Sequence, residues 1–431
     1  MHQRVTELNL EGYKLKGSIS PHIGNLSYMR SFNLANNSLY GEIPQELGRL
    51  SQLQYLYVGN NSLVGNIPTN LTRCTHLKIL YLFGNNLIGK IPVEIGSLRK
   101  LQHFNVARNQ LTGGIPPFIG NLSSLTLFSV AFNNLQGDIP QEICRPKSMR
   151  FVFVSINNLT GTIPYCLYNM SFLIEISATE NHFNGSLPPN MFHTLPNLQV
   201  FEIGANRISG QIPPSITNAS ILSILDISQN NFTGQVPSLR KLQNLFTLAM
   251  GRNNLGENST NDLEFINSLT NCSELKINSL SGSIPEEVGN LKNINYLDFS
   301  ENHLSGDIPE TIGECIMIEY LLLQDNSLQG IIPSSLALLK GLQHLDLSQN
   351  RLSGQIPNVL QNISFLQYFN VSFNMLDGEV PTEGVFRNAS EIVVTGNSKL
   401  CGGISELHLP SCPVKVKKHA KHHKFKLIVV I

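Results

Sequence analysis

The sequence predicts an α/β repeat solenoid: a right-handed superhelical stack with one parallel β-sheet on its concave face and short 3-10 or irregular segments on its convex face. Two observations carry that expectation. The pattern LxxLxLxxNxLxGxIP recurs along nearly all of the 431 residues with a dominant period of 24. Composition agrees, because charged residues are only 14% of the chain while Asn, Leu and Gly are abundant, as a periodic template requires.

The period is anchored by asparagine. Asn37, Asn61, Asn85, Asn109, Asn133, Asn157 and Asn181 follow one another at intervals of 24, and Asn206, Asn230, Asn253, Asn278, Asn302, Asn326, Asn350 and Asn374 continue at 23 to 25. A first unit, Leu8 to Ser20, carries Tyr13 at this position, giving sixteen leucine-rich repeats. Each template position has a physical reason. In the unit from Leu77 to Leu87, alternation around Leu80 and Leu82 predicts a short strand with one face buried. The sharp turn that follows leaves backbone groups in need of partners, and the amide of Asn85 can donate and accept to them. Gly89-x-Ile91-Pro92 then supplies a permissive turn residue, a core side chain and a stop to strand pairing. No unit buries its apolar face alone, so neighbours share stability and the ends need caps.

One stretch breaks the template. After Leu255 a polar loop, Gly256 to Asp262, replaces Gly-x-Ile-Pro, and Leu275-Lys276-Ile277-Asn278-Ser279-Leu280 reads as a unit's first leucine joined to its Asn-x-Leu with five residues missing. The expectation is a seam at 255–280, where repeats were lost and the strand is weak or bulged.

Charge excludes one class of function. Formal net charge is zero, but Lys415, Lys417, Lys418, Lys421, Lys424 and Lys426 are six of the 30 basic residues, so the body is mildly acidic and no nucleic-acid partner is expected. No nucleophile, base and oxyanion arrangement stands out from the repeat, so no enzyme is expected, and without Cys-x-x-Cys spacing no metal or cofactor. Met1 to Arg4 lead directly into the first repeat without an apolar leader, and the apolar run from Leu427 is far short of the roughly 20 residues that span a bilayer. Val5, Leu8, Leu10 and Leu15 are therefore expected at an open end that frays or aggregates.

Several segments are more specific than the repeat. They are Leu297-Asp298-Phe299-Ser300 with Glu301 to Gly306, Gly341 to Ser348, Asn370 to Leu376, Val380 to Phe386, Leu400-Cys401-Gly402-Gly403 and Leu409-Pro410-Ser411-Cys412-Pro413. With the Gly-x-Ile-Pro units they resemble the ectodomain of plant leucine-rich-repeat receptor-like serine/threonine kinases, in the subfamily that includes the receptors for flagellin and elongation factor Tu. The resemblance covers essentially the whole chain. It implies a ligand-binding ectodomain at the plasma membrane, capturing an extracellular peptide or protein of microbial origin in plant immunity. It also implies recruitment of a shorter leucine-rich-repeat co-receptor kinase near the C-terminal units. That family carries a Trp-containing, Cys-paired N-terminal cap and a cytoplasmic kinase; this sequence has no Trp and none of the kinase motifs, so it reads as an ectodomain fragment. The expected organisation is a solenoid at 1–390, a cap at 391–413, a basic juxtamembrane stem at 414–426 and the start of a transmembrane helix at 427–431. His419, His422 and His423 belong to that stem rather than to an ion site. A soluble inhibitor of secreted wall-degrading enzymes, built on the same repeat, is the alternative.

The resemblance, together with the short spacing beyond the last repeat, pairs Cys401 with Cys412 in an oxidising compartment. Cys74, Cys144, Cys166, Cys272 and Cys315 are expected as buried free thiols. Fifteen Asn-x-Ser/Thr sequons occur, of which Asn25, Asn70, Asn121, Asn169, Asn218 and Asn362 are the expected glycan sites. The outward positions of the strands should hold the ligand, because folding leaves them free. In units three to five these are Tyr55, Tyr57, Tyr81, Phe83, His103 and Arg108; units six and seven add Phe132, Phe151 and Phe153, and units eight and nine Glu175, Glu180 and Glu202. Aromatic rings beside charge are the usual makings of a peptide-binding surface. Asp226, Asp298 and Asp346, in Leu-Asp-x-Ser, are read as template residues.

Overall fold

The protein is described from a computed structural model, over residues 4–256, 262–269, 272–277 and 280–413. The stem, its histidines and the apolar C-terminal run lie outside the described residues, as do most of the polar loop and Asn278. Within them the chain is the expected leucine-rich-repeat solenoid. One three-residue strand per unit pairs in parallel with the next, from Glu7–Asn9 and Ser31–Asn33 through Tyr55–Tyr57 and Ile79–Tyr81 to His344–Asp346 and Tyr368–Asn370. The central leucine or phenylalanine of each strand faces the core; Leu56, Leu80, Phe104, Leu321 and Leu345 are all fully buried. These side chains form one continuous apolar cluster along the stack.

The asparagine column works as its chemistry requires. Asn133 Oδ1 accepts from the Leu111 N–H at 3.0 Å, and its Nδ2 donates to the carbonyls of Val106, Val130 and Ala131 at 3.1, 3.0 and 3.2 Å. One amide thus satisfies its own turn and the previous unit's. The column extends further than the repeat pattern shows. Asn397, beyond the sixteenth unit, accepts from Leu376 N–H at 3.0 Å and donates to Val371 and Val394, while Ile392–Val393 adds a seventeenth strand to the concave sheet. The segment after the sixteenth unit therefore begins as a degenerate repeat.

The convex side is built by the proline. Pro44, Pro68 and Pro92, extended in backbone, each precede a 3-10 turn, at Gln45–Arg49, Thr69–Arg73 and Val93–Ser97. These turns stack closely enough that a Cβ on Gly48 would stand 2.2 Å from the Asn70 carbonyl, which explains a second glycine position in the repeat. Between the two faces runs a layer that the template did not suggest. The Leu-x-Gly residues form short parallel strands of their own, such as Ser38–Glu42 and Ser62–Gly65, grouped in five separate three- or four-stranded sheets among the described residues.

Two expectations are corrected. The strand at the seam is intact: Glu274–Lys276 pairs in register with Thr247–Ala249 and with Tyr296–Asp298. Leu275 is not the unit's first leucine but its central strand residue, opposite Leu248 and Leu297, while buried Leu269 and Cys272 take the earlier positions. The Leu280 N–H donates to Asn302 Oδ1 of the next unit's column, so two residues are missing between Ile277 and Leu280, not five from the strand. The second correction is covalent. Cys144 and Cys166 form a disulfide between the 3-10 turns of units six and seven, leaving Cys74, Cys272 and Cys315 as the buried thiols. Neighbouring turns lie side by side, so the end of one turn and the start of the next, 22 residues apart, fall within bonding reach. Cys401 and Cys412 are joined, as expected, beyond the last repeat.

Candidate functional site

Each strand places its first and third residues outward beside their counterparts in the adjacent units. Tyr55, Ile79 and His103 are thereby aligned, as are Tyr57, Tyr81 and Asn105. The rings interlock. Tyr57 and Tyr81 meet edge to face with centroids 5.5 Å apart, Tyr81 and Phe83 likewise at 6.1 Å, and His103 stacks on Tyr81 at 6.0 Å. The Tyr81 hydroxyl also lies 3.0 Å from His103 Nδ1. Lys78 holds its ammonium 5.8 Å from the Tyr55 ring. Tyr55, Tyr57, Tyr81 and Phe83 form one wall of a concavity of about 620 Å³, whose other wall is polar and includes Glu7, Glu11 and Asn36.

These rings are half-buried by their neighbours. Burial pushes the Tyr57 and Tyr81 hydroxyls above their ordinary range, with the adjacent phenols adding to Tyr57, and it holds His103 below its own. The neutral imidazole and phenol are therefore the favoured forms. Phe151 and Phe153, on one strand, stack at 6.2 Å, and Phe151 shares a second hollow with His103, Arg150 and Phe172. Glu175 follows on the next strand; its carboxyl is pushed up by burial and then by Glu202.

Arg108, Phe132 and Glu180 differ from the others. They sit after the strand, directly before the asparagine column, with φ of 53°, 54° and 51°. Their side chains form the rim of the concave face, where the Arg108 guanidinium lies 4.8 Å from the Phe132 ring. The two groups of rings are thus joined through His103, while Glu180 stands apart on the rim.

Asp226, Asp298 and Asp346 each accept through Oδ1 from the N–H and hydroxyl of the serine two residues on, a turn-stabilising role that matches their reading as template residues. Asn25, Asn121, Asn169, Asn218 and Asn362 all end 3-10 turns and are exposed, off the concave sheet; Asn70 is partly buried and donates to Gln45 Oε1 at 3.1 Å. Among the described residues there is no cluster of three or more His, Cys, Asp or Glu side chains able to hold a metal, and no helix is long and apolar enough to cross a membrane.

A second aromatic group escaped the sequence reading. Tyr296, Tyr320, His344 and Tyr368 occupy the first position of four successive strands in units 13 to 16 and stack in one row, with centroids 5.5, 5.9 and 4.2 Å apart. The signal was present as Tyr, Tyr, His and Tyr at 24-residue spacing.

Comparison with known proteins agrees with this architecture. Leucine-rich-repeat family models match residues 28–50, 52–74, 76–98, 100–122, 293–315 and 317–376. A stretch of 56 residues is 43% identical to a putative receptor-like protein kinase of Arabidopsis thaliana, covering 12% of this chain and 6% of that protein. The chain thus matches only a small part of that relative's length. Among solved structures, the plant peptide hormone receptor RGFR1 in complex with RGF2 superposes with a TM-score of 0.71 at 29% identity, over 94% of this chain and 72% of that one. The TDR receptor gives 0.72 at 29% identity, over 88% and 70%. The Arabidopsis receptor kinase HAESA, in complex with the peptide hormone IDA and the co-receptor SERK1, gives 0.57 at 29% identity, over 92% and 78%. The chain therefore resembles the leucine-rich-repeat ectodomains of plant receptor kinases.

Proposed function

We propose that this chain is the ligand-binding ectodomain of a plant cell-surface receptor-like kinase, which captures an extracellular peptide or protein on its concave face. The observation that carries the reading is the interlocked aromatic surface of units three to seven, outward-facing and free of any folding role that the template demands. Rigid rings give large contact area at small entropic cost, which suits an extended peptide. The exposed sequons of the 3-10 turns leave this surface clear, so glycans there would confine binding to the strand face. Its likeness to receptors solved with peptide hormones supports a peptide as ligand, and the HAESA complex supports a co-receptor kinase as second partner, engaged near the C-terminal units.

Within that reading, the ligand is of microbial origin and the chain belongs with the receptors for flagellin and elongation factor Tu, on the strength of the C-terminal segments Val380 to Phe386 and Leu400 to Cys412. The solenoid then stands on the extracellular side of the plasma membrane, and both disulfides fit that compartment. The test is a binding screen of the secreted, glycosylated protein against synthetic peptides drawn from secreted plant proteins and from bacterial surface proteins. A bacterial peptide that binds and protects Tyr57 and Tyr81 from iodination supports the full reading. Binding of plant peptides alone would replace the microbial origin, and a ligand that leaves both tyrosines reactive would overturn the site.

A further inference from the structure

Units 13 to 16 carry an outward surface built differently from the one above. Its spine is the row Tyr296, Tyr320, His344 and Tyr368, whose rings lie within 15° to 27° of parallel, so their faces cover one another and their edges remain to meet a partner. Stacking between neighbours on rigid strands holds this row in place before anything binds. Around it the strand face holds five carboxylates, on Asp298, Glu301, Glu319, Asp325 and Asp346, and neither lysine nor arginine. Two of the five are fixed in orientation by Ser300 and Ser348.

The chain itself displays the chemistry such a surface accepts. At the N-terminal end of the row Lys276 places its ammonium 4.4 Å from the Tyr296 ring while Glu274 binds it at 2.8 Å. An ammonium over an outer ring face with a carboxylate beside it is the arrangement in which cation–π and ionic attraction act together. Arg252 reaches the same rim, 3.5 Å from Glu301. Beyond Lys276 the pattern of rings and carboxylates continues for three further strands with no cation of its own on the strand face.

We propose that this face of units 13 to 16 is a second binding surface, independent of the aromatic site in units three to seven, and that its occupant is a peptide segment bearing lysine or arginine. The alternation of tyrosine hydroxyls and carboxylates along neighbouring strands, roughly 5 Å apart, offers acceptors to successive cationic side chains. An acidic segment finds no complement there.

The test uses the chain as described and two end-blocked probes, hexa-arginine and hexa-glutamate, followed by fluorescence anisotropy at low salt. Hexa-arginine is expected to bind and hexa-glutamate not. The combined variant Glu301→Gln, Glu319→Gln and Asp325→Asn should weaken hexa-arginine about tenfold or more, and Tyr320→Leu with Tyr368→Leu severalfold. Removing three carboxylates from elsewhere, by Glu42→Gln, Glu94→Gln and Glu287→Gln, should leave binding unchanged. Since the carboxylate variants are on the surface and away from the core, circular dichroism and melting should match the parent. If the control weakens hexa-arginine as much as the strand-face variant, attraction is to overall charge and the surface does not exist. If no variant changes binding, the proposal is equally overturned.

Discussion

Units three to seven and units 13 to 16 share one backbone and differ in what they turn outward. On the strand face of the first, rings are accompanied by Lys78, Arg108 and Arg150 and by no acid. On the second, rings are accompanied by five carboxylates and no lysine or arginine. In the first, Tyr57 and Phe83 meet Tyr81 edge to face while His103 and the Phe151–Phe153 pair stack; in the second all four rings stack in a single row. A solenoid allows this because each unit meets only its neighbours, so outward residues in separate regions vary without disturbing a common core. Scaffold changes should therefore cost the same in both regions, while changes to outward residues should be felt only where they are made.

The largest effects break the scaffold. Leu80→Ala and Leu321→Ala both empty fully buried strand positions and should each destabilise by about 2 to 5 kcal/mol, measured by urea unfolding. If one region tolerated the change, the two would not share a core. Next comes the staple that only the first region has. Cys144→Ser with Cys166→Ser should cost about 2 to 4 kcal/mol. Hydrogen exchange should show faster opening around units six and seven, with units 13 to 16 unchanged. Asn133→Ala and Asn350→Ala, removed from equivalent places in the column, should each cost about 1 to 3 kcal/mol for the backbone groups left without partners.

The smallest effect separates the regions by pH. His103 and His344 are both held below the ordinary imidazole range by burial, and at His344 the charge of Asp346 opposes that depression. The unfolded chain therefore takes up each proton first as pH falls. The stability each neutral imidazole lends is fully present above about 6.5 and is lost as pH falls through its lowered value. Replacing His103 by Gln should flatten the acid side of the stability profile more than replacing His344, and equal slopes would show that Asp346 has no influence.

The fold was legible because its period is written in leucine, asparagine, glycine and proline, residues whose reasons are local. Of the candidate site, the outward rings were legible where bulky residues stand at strand positions that the template leaves open, as at Tyr57, Tyr81 and Phe153. What was not legible depended on neighbours in space. Cys144 and Cys166 are unremarkable until two convex turns are laid side by side. Leu275 took the wrong place in its unit because a two-residue shortening of a turn looks, along the chain, like a missing strand. The row from Tyr296 to Tyr368 was spread over 72 residues among ordinary template positions, and parallel pairing is what turned it into one surface. The flanking sheets were hidden for the same reason, since Leu-x-Gly shows no alternation of its own.

Above all, the outward rings of units three to seven are proposed to capture the ligand without supporting the fold. The most direct test is the variant Tyr57→Ala, Tyr81→Ala and Phe153→Ala, titrated by calorimetry with a peptide selected in the binding screen and melted in parallel with the parent. Binding should be lost while the cooperative melt is kept; binding that survives in a folded variant would show that these rings do not hold the ligand.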